Sequence, residues 1–215
     1  LEELEKKNLI RELNHNEFSP WNHCIHLVFR QSGGARQFCQ SIADKKSTEE
    51  RLKMLRSSSR AVADVVNLNK ITLSHGPVYL PMVGEILPYM GGRLACLTDI
   101  RSGFSTIPLN YESQLKTAFT HRNKRFIHRC LIQGSSISPL IYSLRMEIVF
   151  NNESFKLFLE KNAPNSNINY NTSFFRYLDD VLMLADTVED MLILWKYTME
   201  QLAKYRIKIT KSKTS

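Results

Sequence analysis

Two adjacent carboxylates, Asp179 and Asp180, lie between the short apolar segments 174–178 and 181–185. This pattern predicts a β-hairpin with both charges near its tip. Charges there are costly unless something neutralises them, although a solvated turn also tolerates aspartate. Because side chains alternate along a strand, a shared site needs a carboxylate from another strand, and Asp99 ends the apolar run 94–97. Together the three could hold two Mg²⁺ ions for an in-line phosphoryl displacement.

The chain is basic, with 29 Lys and Arg residues against 21 Asp and Glu, a net charge of +8 and a sequence pI near 9.4. This balance favours polyanionic partners, chiefly nucleic acid, because neutralising phosphates releases counterions. A soluble protein that happens to be basic is the alternative. The hydrophobic fraction of 43% is ordinary for a globular protein, and 215 residues suffice for one or two units with a sizeable core.

The cysteines are scattered and include no Cys-x-x-Cys pair: they are Cys24, Cys39, Cys96 and Cys130. Such spacing favours free thiols in a reducing compartment over a disulfide framework. A zinc site at His23, Cys24, His26 and Cys39 is the alternative. Their spacing fits no standard ligand pattern, and the alternation around them predicts a strand instead.

No apolar run approaches the roughly 20 residues that cross a bilayer, and no segment resembles a signal peptide. We therefore expect no membrane partner. The chain opens at Leu1 rather than Met, which indicates a part of a longer polypeptide.

Hydrophobic periodicity and turn signals predict an α+β fold, in which helices alternate with antiparallel hairpins. Helices are expected at 1–13, 82–90 with an interruption at Pro88, 111–116, 138–150, and from a Thr187 cap onward. The last helix has an apolar face of Met191, Leu194, Trp195, Met199 and Leu202. Strands are expected at 24–30, 60–66, 93–98, 117–120, 125–131, 174–178 and 181–185. The polar stretches 37–59, with a short helix at 49–55, and 151–171 are interpreted as insertions.

Tyr177-Leu178-Asp179-Asp180 resembles the Tyr-x-Asp-Asp box of reverse transcriptases. The segment 99–109, Asp-Ile-Arg-Ser-Gly-Phe-Ser-Thr-Ile-Pro-Leu, resembles their preceding aspartate box, above all in gypsy-type LTR retrotransposons and retroviruses. Four further matches fall in the expected order: Ser19-Pro20-Trp21, Leu68-Asn69-Lys70-Ile71-Thr72, Lys116-Thr117-Ala118-Phe119, and Gln133-Gly134 through Ser138-Pro139. One Asp-Asp hairpin is a weak signal, whereas six ordered matches from about residue 17 to 213 are a specific one.

The resemblance implies an α+β right-hand polymerase fold with fingers and palm, whose antiparallel palm sheet packs on helices, and with the thumb absent from this chain. It divides the sequence into an N-terminal helical segment (1–18), fingers (19–80 and 110–135, with 37–59 inserted) and palm (81–109 and 136–215, with 151–171 inserted).

The resemblance also implies roles for the residues of the palm. Asp99 and Asp179 would be the principal metal ligands and Asp180 a second-rank ligand, with Ile100 counted among the metal-binding positions. Phe104 would be the steric gate that collides with a 2′-hydroxyl and so selects deoxynucleotides. A core phenylalanine is the alternative for that residue.

In the fingers, the resemblance implies that Arg30 and Arg60 bind the triphosphate and that Gln133, with Gly134, touches the incoming nucleotide near its 3′-hydroxyl. Lys213 would be the general acid for pyrophosphate departure, although a solvated basic tail also explains it. The fingers depart from the family pattern, since the usual basic run is reduced to Arg30 and a usual arginine is Val66.

The function implied is an RNA-directed DNA polymerase of a retroelement, which uses two Mg²⁺ ions, or Mn²⁺ in their place, to join dNTPs to a primer 3′-OH. Its partners would be an RNA or DNA template with primer and further polyprotein domains (thumb, ribonuclease H, integrase), with dimerisation open. Its place would be intracellular, in the cytoplasm, a virus-like particle or the nucleus. The alternative is a domesticated, catalytically weak or inactive reverse-transcriptase-like scaffold that binds nucleic acid. A viral RNA-dependent RNA polymerase is disfavoured by Phe104.

Overall fold

The computed structural model describes residues 1–29, 47–50, 59–73 and 80–210. In chain order its elements are α1 (Glu2–Lys6), β1 (Ile10–Glu12), β2 (Cys24–Phe29), β3 (Ser59–Asp64), α2 (Val66–Ile71), α3 (Val83–Ile86), β4 (Leu94–Asp99), α4 (Tyr111–Leu115), β5 (Phe119–His121), β6 (Lys124–His128), α5 (Ser138–Val149), α6 (Asn152–Asn162), α7 (Tyr170–Ser173), β7 (Phe174–Tyr177), β8 (Asp180–Ala185) and α8 (Val188–Lys204). The 3₁₀ turns Leu87–Tyr89 and Gly103–Thr106 lie between them. The chain forms two compact units, Leu1–Thr72 with Pro108–Ser136, and Leu73–Ile107 with Ile137–Ser215.

The first unit contains a three-stranded antiparallel sheet of order β1-β6-β5, in which Ile10 lies opposite His128. Arg122 and Asn123 join β5 to β6 with φ values of 48° and 62°. A two-residue hairpin connection favours this left-handed conformation because its twist matches that of the strands.

The expected helix at 1–13 is wrong beyond its first turns. α1 ends at Lys6, Asn8 takes a left-handed φ of 59°, and β1 begins at Ile10. Burial explains the change, since Ile10 is 2% exposed and the pairing of β1 with a distant strand outweighs the local helical pattern. The cluster so formed consists of Ile10, Phe119 and Phe126, with Leu1, Leu4 and Ile25 packed against it.

A second, two-stranded sheet of the first unit pairs β2 with β3, with Cys24 opposite Asp64. The strand expected at 60–66 ends early, because the Asp64 carboxylate accepts a hydrogen bond from the Val66 amide at 3.2 Å and α2 starts there. A small core of Ala63, Val65 and Ile132 joins this sheet to the segment that follows β6. Most of the stretch 37–59, with its expected helix at 49–55, lies outside the described residues.

The second unit is built on a three-stranded antiparallel sheet of order β4-β8-β7, so β8 is central. The hairpin expected from the sequence is present, and β4 lies along β8 with Leu94 opposite Ala185. Arg93 fixes the start of this pairing: its guanidinium donates to the Thr172 carbonyl at 2.7 Å and the Leu184 carbonyl at 3.0 Å, and pairs with Asp186 at 2.9 Å.

Helices α5, α6 and α8 contribute an aromatic core to the second unit. The stretch 151–171, expected as a polar excursion, instead contains α6, which Asn151 caps by accepting the Ser154 amide at 2.8 Å. Its phenylalanines are 1% and 7% exposed, and Phe155 meets the Tyr197 ring edge-on at 4.9 Å. The asparagine-rich composition did not indicate this helix, whose two phenylalanines face the core. That the stretch 151–171 is an insertion stays a prediction.

The long helix α8 begins as expected, with the Thr187 hydroxyl accepting a hydrogen bond from the Asp190 amide at 3.1 Å. Its buried face differs from the expected one and consists of Leu194, Tyr197, Thr198 and Leu202. Met191, Trp195 and Met199 are only half-buried. Within the described ranges, no helix has the length and apolar character to cross a membrane.

Candidate active site

The β7–β8 hairpin places the Asp179-Asp180 pair at its tip. Tyr177 and Asp180 are the closing cross-strand pair, so Leu178 and Asp179 form a two-residue loop. Leu178 has a φ of 51°, a left-handed conformation that costs an L-residue about 1 kcal/mol. The local backbone is therefore held in a strained turn at the point where the charges are carried.

Strand β4 brings the third aspartate to the same place. Asp99, the last residue of β4, lies directly opposite Asp180. The next amide along the chain, that of Ile100, donates to the Asp179 carbonyl at 2.7 Å. The register of one sheet thus places Asp99, Asp179 and Asp180 at neighbouring positions, as the sequence predicted.

The segment after α8 supports Asp99 from its other side. The Thr210 amide donates to the Asp99 carbonyl at 2.9 Å, and the Arg101 amide donates to the Lys208 carbonyl at 2.7 Å. Ile100, which is 1% exposed, lies between these two bonds. Its buried side chain leaves only its backbone to contact a metal ion. Lys213 lies outside the described residues.

Gly103 and Tyr142 lie next to the Asp179 carboxylate. A Cβ atom on Gly103 would lie 2.5 Å from Asp179 Oδ1 and 2.6 Å from Tyr142 Cζ, so a side chain at this position would displace one of these two groups. Phe104 packs on Tyr142 with 5.0 Å between ring centroids and a tilt of 39°. The residue expected as a steric gate is therefore half-buried against an aromatic support.

Burial and nearby negative charge shift the pKa of Tyr142. Tyr142 is fully buried, and burial raises its pKa; the negative charges of Asp179, Asp99 and Asp180 raise it further. The phenol therefore stays neutral beside these carboxylates.

The donor set fits a hard divalent cation, since carboxylate oxygens are the ligands that Mg²⁺ prefers. Each of the three aspartates keeps part of its surface open to solvent. Across the described ranges, no three His, Cys, Asp or Glu side chains are already gathered around one point. The strands bring the aspartate positions together, and the donor chemistry suits magnesium or manganese.

The expected nucleotide-contacting residues Arg60, Gln133 and Gly134 belong to the first unit, and Asp99, Asp179, Asp180 and Phe104 to the second. Within the first unit, Arg60 and Gln133 are exposed. Gly134 has a φ of 100° and approaches β3, where an added Cβ would meet the Ala63 carbonyl oxygen at 3.4 Å. Arg30 lies outside the described residues.

The loop after Gln133 is held by the amide side chain of Asn69. Asn69 Nδ2 donates to the Gly134 carbonyl at 2.9 Å, and its Oδ1 accepts from the Ser136 amide at 2.8 Å. Two of the ordered sequence matches, at 68–72 and 133–139, are thus joined by direct hydrogen bonds within one unit.

The zinc alternative gains no support from the positions of its ligands. His23 is buried and its Nε2 lies 2.8 Å from the Lys116 carbonyl, while the exposed His26 lies 3.7 Å from Asp64. Cys24 is exposed, and Cys39 lies outside the described residues.

A family model of reverse transcriptase (RNA-dependent DNA polymerase) matches residues 42–215. This chain therefore belongs to the reverse transcriptase family. Among its relatives are the Pol polyproteins of equine infectious anemia virus, strain Wyoming and isolate 1369, each 34% identical over 99 residues. Those matches cover 41% of this chain and 8% of the polyprotein, so the chain corresponds to a small part of such relatives.

Solved foamy virus structures share the fold. The native protease-reverse transcriptase of prototype foamy virus matches 100% of this chain and 23% of its own, with a TM-score of 0.65 and 19% identity. A foamy viral protease-reverse transcriptase in complex with an RNA/DNA hybrid has a TM-score of 0.66, 18% identity, and the same coverage. A complex with double-stranded DNA matches 99% of this chain and 29% of that chain, with a TM-score of 0.66 and 20% identity. The chain thus has the α+β fingers-and-palm-like fold of these proteins.

Sequence reasoning did not single out Tyr142 or Gly103. Tyr142 lies within the helix expected at 138–150, where a buried tyrosine is indistinguishable from an ordinary core aromatic. Gly103 lies within the aspartate box, but the reason for a residue without a side chain there is the close approach of Tyr142 and Asp179, which are distant in sequence. The sequence signal that could have revealed Tyr142 is its hydroxyl on an otherwise apolar helix face, because a buried hydroxyl needs a hydrogen-bond partner.

Proposed function

We propose that this chain carries the polymerising centre of an RNA-directed DNA polymerase from a gypsy-type or retroviral element. The observation that carries the proposal is the register of the β4-β8-β7 sheet, which sets Asp99 opposite Asp180 and hydrogen-bonds Ile100 to Asp179. Family membership over 42–215 makes polymerisation the chemistry to expect from three such carboxylates.

In this proposal Asp99, Asp179 and Asp180, with the backbone of Ile100, hold two Mg²⁺ ions, for which Mn²⁺ can substitute. Bound metal ions would activate the primer 3′-hydroxyl and stabilise the charge on the transferred phosphoryl group and the leaving pyrophosphate. The protein's own contribution is positioning: a strained hairpin tip and a paired strand hold the carboxylates where the metal ions are needed.

The proposed substrates follow from the roles that the reverse transcriptase resemblance implies for individual residues. Phe104, supported by Tyr142, would exclude a 2′-hydroxyl and admit dNTPs. Arg30 and Arg60 would bind the triphosphate, with Gln133 and Gly134 beside the sugar. Lys213 would protonate the departing pyrophosphate.

The template–primer partner is supported by charge and by the relatives. The net charge of +8 suits a phosphate backbone. The two foamy virus complexes described above contain an RNA/DNA hybrid and double-stranded DNA. We propose the same kind of partner for this chain, together with the fingers (19–80, 110–135) and palm (81–109, 136–215) division, an intracellular location and neighbouring thumb, ribonuclease H and integrase domains.

The test is primer extension on poly-rA/oligo-dT with dTTP and Mg²⁺ or Mn²⁺. Asp179→Asn should lower incorporation at least about a thousandfold, because removing one essential group of such a unit is as damaging as removing several. Glu160→Gln removes a carboxylate charge from the exposed surface of α6 and should retain activity, which makes it the control.

A scaffold would behave differently in the same assay. Tight template–primer binding without incorporation, unchanged by Asp179→Asn, would overturn the polymerase assignment. It would favour a domesticated nucleic-acid-binding domain.

A further inference from the structure

Tyr142 carries a hydroxyl in the core of the second unit. The residue is 0% exposed on the inner face of α5, and its hydroxyl oxygen is shielded from solvent. Burying a hydroxyl costs free energy unless a polar partner compensates, so an apolar side chain would suit this position better if packing were its only role. The Asp179 carboxylate lies close to this hydroxyl.

Gly103 defines how closely these two groups converge. The Tyr142 hydroxyl and Asp179 Oδ1 both lie within 3.0 Å of the position that a Cβ on Gly103 would occupy. Three separate elements therefore meet at one point: the 3₁₀ turn after β4, helix α5 and the hairpin tip. The absence of a side chain at Gly103 is what lets the hydroxyl and the carboxylate share this space.

The charges around the hydroxyl favour one direction of donation. A tyrosine phenol carries its proton at neutral pH and can donate it in a hydrogen bond. A carboxylate ion can only accept hydrogen bonds. The neutral phenol is therefore the donor and Asp179 the acceptor.

We propose that Tyr142 is a positioning residue whose hydroxyl donates to one oxygen of Asp179, holding that carboxylate in a single orientation and leaving its other oxygen for a divalent cation. The proposal rests on the proposed function in so far as Asp179 is a metal ligand. Groups that orient metal ligands in this way commonly change metal affinity about 10- to 100-fold when removed.

The ring and the hydroxyl of Tyr142 have separable roles. The ring supports Phe104 at 5.0 Å, and phenylalanine at position 142 would retain that contact. Tyr142→Phe therefore removes the donor while keeping the aromatic packing, and it is the variant to use.

A matched control lies in the same unit. Tyr197 is also 0% exposed, and its hydroxyl contacts Ser154 Oγ at 2.8 Å and the Asn151 carbonyl at 3.2 Å. Tyr197→Phe removes the same atom from the same kind of environment among residues that carry none of the proposed metal ligands. A general effect of losing a buried hydroxyl would therefore appear in both variants.

The first measurement is Mn²⁺ binding to the 215-residue chain, followed by the electron paramagnetic resonance signal of free Mn²⁺, without nucleotide or nucleic acid. Tyr142→Phe should weaken Mn²⁺ binding about tenfold, whereas Tyr197→Phe should bind as wild type does. Melting temperatures of both variants report any loss of folding. Unchanged Mn²⁺ affinity in Tyr142→Phe overturns the proposal.

The second measurement needs no metal ion. The ¹³C resonance of the Asp179 carboxyl carbon, assigned by its loss in Asp179→Asn, should shift in Tyr142→Phe and stay in place in Tyr197→Phe. An unmoved resonance overturns the proposal even if metal binding changes. A shifted resonance in a chain that binds no Mn²⁺ supports the hydrogen bond and overturns the proposed metal-dependent function instead.

Discussion

Phe104 is the residue expected to discriminate between deoxynucleotides and ribonucleotides. Its ring lies half-buried against Tyr142 rather than in the deep core, so it is available to a ligand. We predict that Phe104→Ala raises the kcat/KM for UTP relative to dTTP about tenfold, because a pocket that loses a bulky group discriminates less by one to a few kcal/mol. The two nucleotides are compared in single-nucleotide primer extension.

Phe104→Tyr is the control for that prediction, since it preserves a ring of the same width and should retain the wild-type preference for dTTP. An unchanged preference in Phe104→Ala would show that Phe104 is a packing residue. That was the alternative open from the sequence.

At this scale the sequence identified the acidic residues and missed their surroundings. The positions of Asp99, Asp179 and Asp180 were predictable because charges beside apolar strands are costly and therefore conspicuous. Tyr142 and Gly103 were not, because their importance arises from an approach between α5, the hairpin and the turn after β4. The roles of the three aspartates stay predictions, as do those of the other expected site residues: Ile100, Phe104, Arg30, Arg60, Gln133, Gly134 and Lys213.

At the scale of elements, an ion pair ties β1 to the loop that follows it. Arg11 donates to both carboxylate oxygens of Glu17, at 2.7 and 2.6 Å. These hydrogen bonds from Arg11, helped by the Asn14 amide, lower the pKa of Glu17 to about 2. Because the pKa of Glu17 is lower in the folded state, its carboxylate stabilises the fold at pH values above the unfolded-state pKa of about 4.5. That stabilisation is lost as the pH falls toward 2.

We predict that wild type loses about 2 kcal/mol more unfolding free energy than Glu17→Gln between pH 5 and about pH 2, since a hydrogen-bonded charged group contributes roughly that much. Denaturant titrations at each pH measure the difference. Glu112→Gln, which removes an exposed carboxylate on α4, is the control. Parallel pH profiles for wild type and Glu17→Gln would contradict the prediction.

Elements with a strong local signal were predictable, and those decided by distant partners were not. The Thr187 cap and the Asp-Asp hairpin follow from a few adjacent residues. By contrast, the helical pattern of 1–13 gave no sign that Ile10 pairs with a distant strand. The stretch 151–171 was interpreted as a polar excursion because asparagine is common in turns. In α6 the two buried phenylalanines outweigh that composition.

At the scale of the whole molecule, charge governs the proposed encounter with nucleic acid. A chain of net charge +8 that neutralises phosphates releases counterions, so its affinity falls as salt rises. We predict that template–primer binding, followed by fluorescence anisotropy, weakens at least about tenfold between 50 and 200 mM KCl. Asp179→Asn should follow the same slope, and an affinity independent of salt would exclude backbone contacts as the main attraction.

The α+β fold class was predictable from the order of the elements along the chain. Helices alternating with antiparallel hairpins gave the α+β class that the foamy virus structures share. Each compact unit, however, takes two separate stretches of chain, and its assignment as fingers or palm stays a prediction.

The pairing of β1 with β6 has a consequence for how this protein is made. Lys124 of β6 bonds to Glu12 of β1, 112 residues earlier, and Arg93 bonds to Leu184, 91 residues later. A ribosome adding about 5 to 20 residues per second needs roughly ten seconds to supply β6 after β1 has emerged. During that interval β1 has no partner edge, so nascent chains should depend on chaperones to avoid pairing with one another.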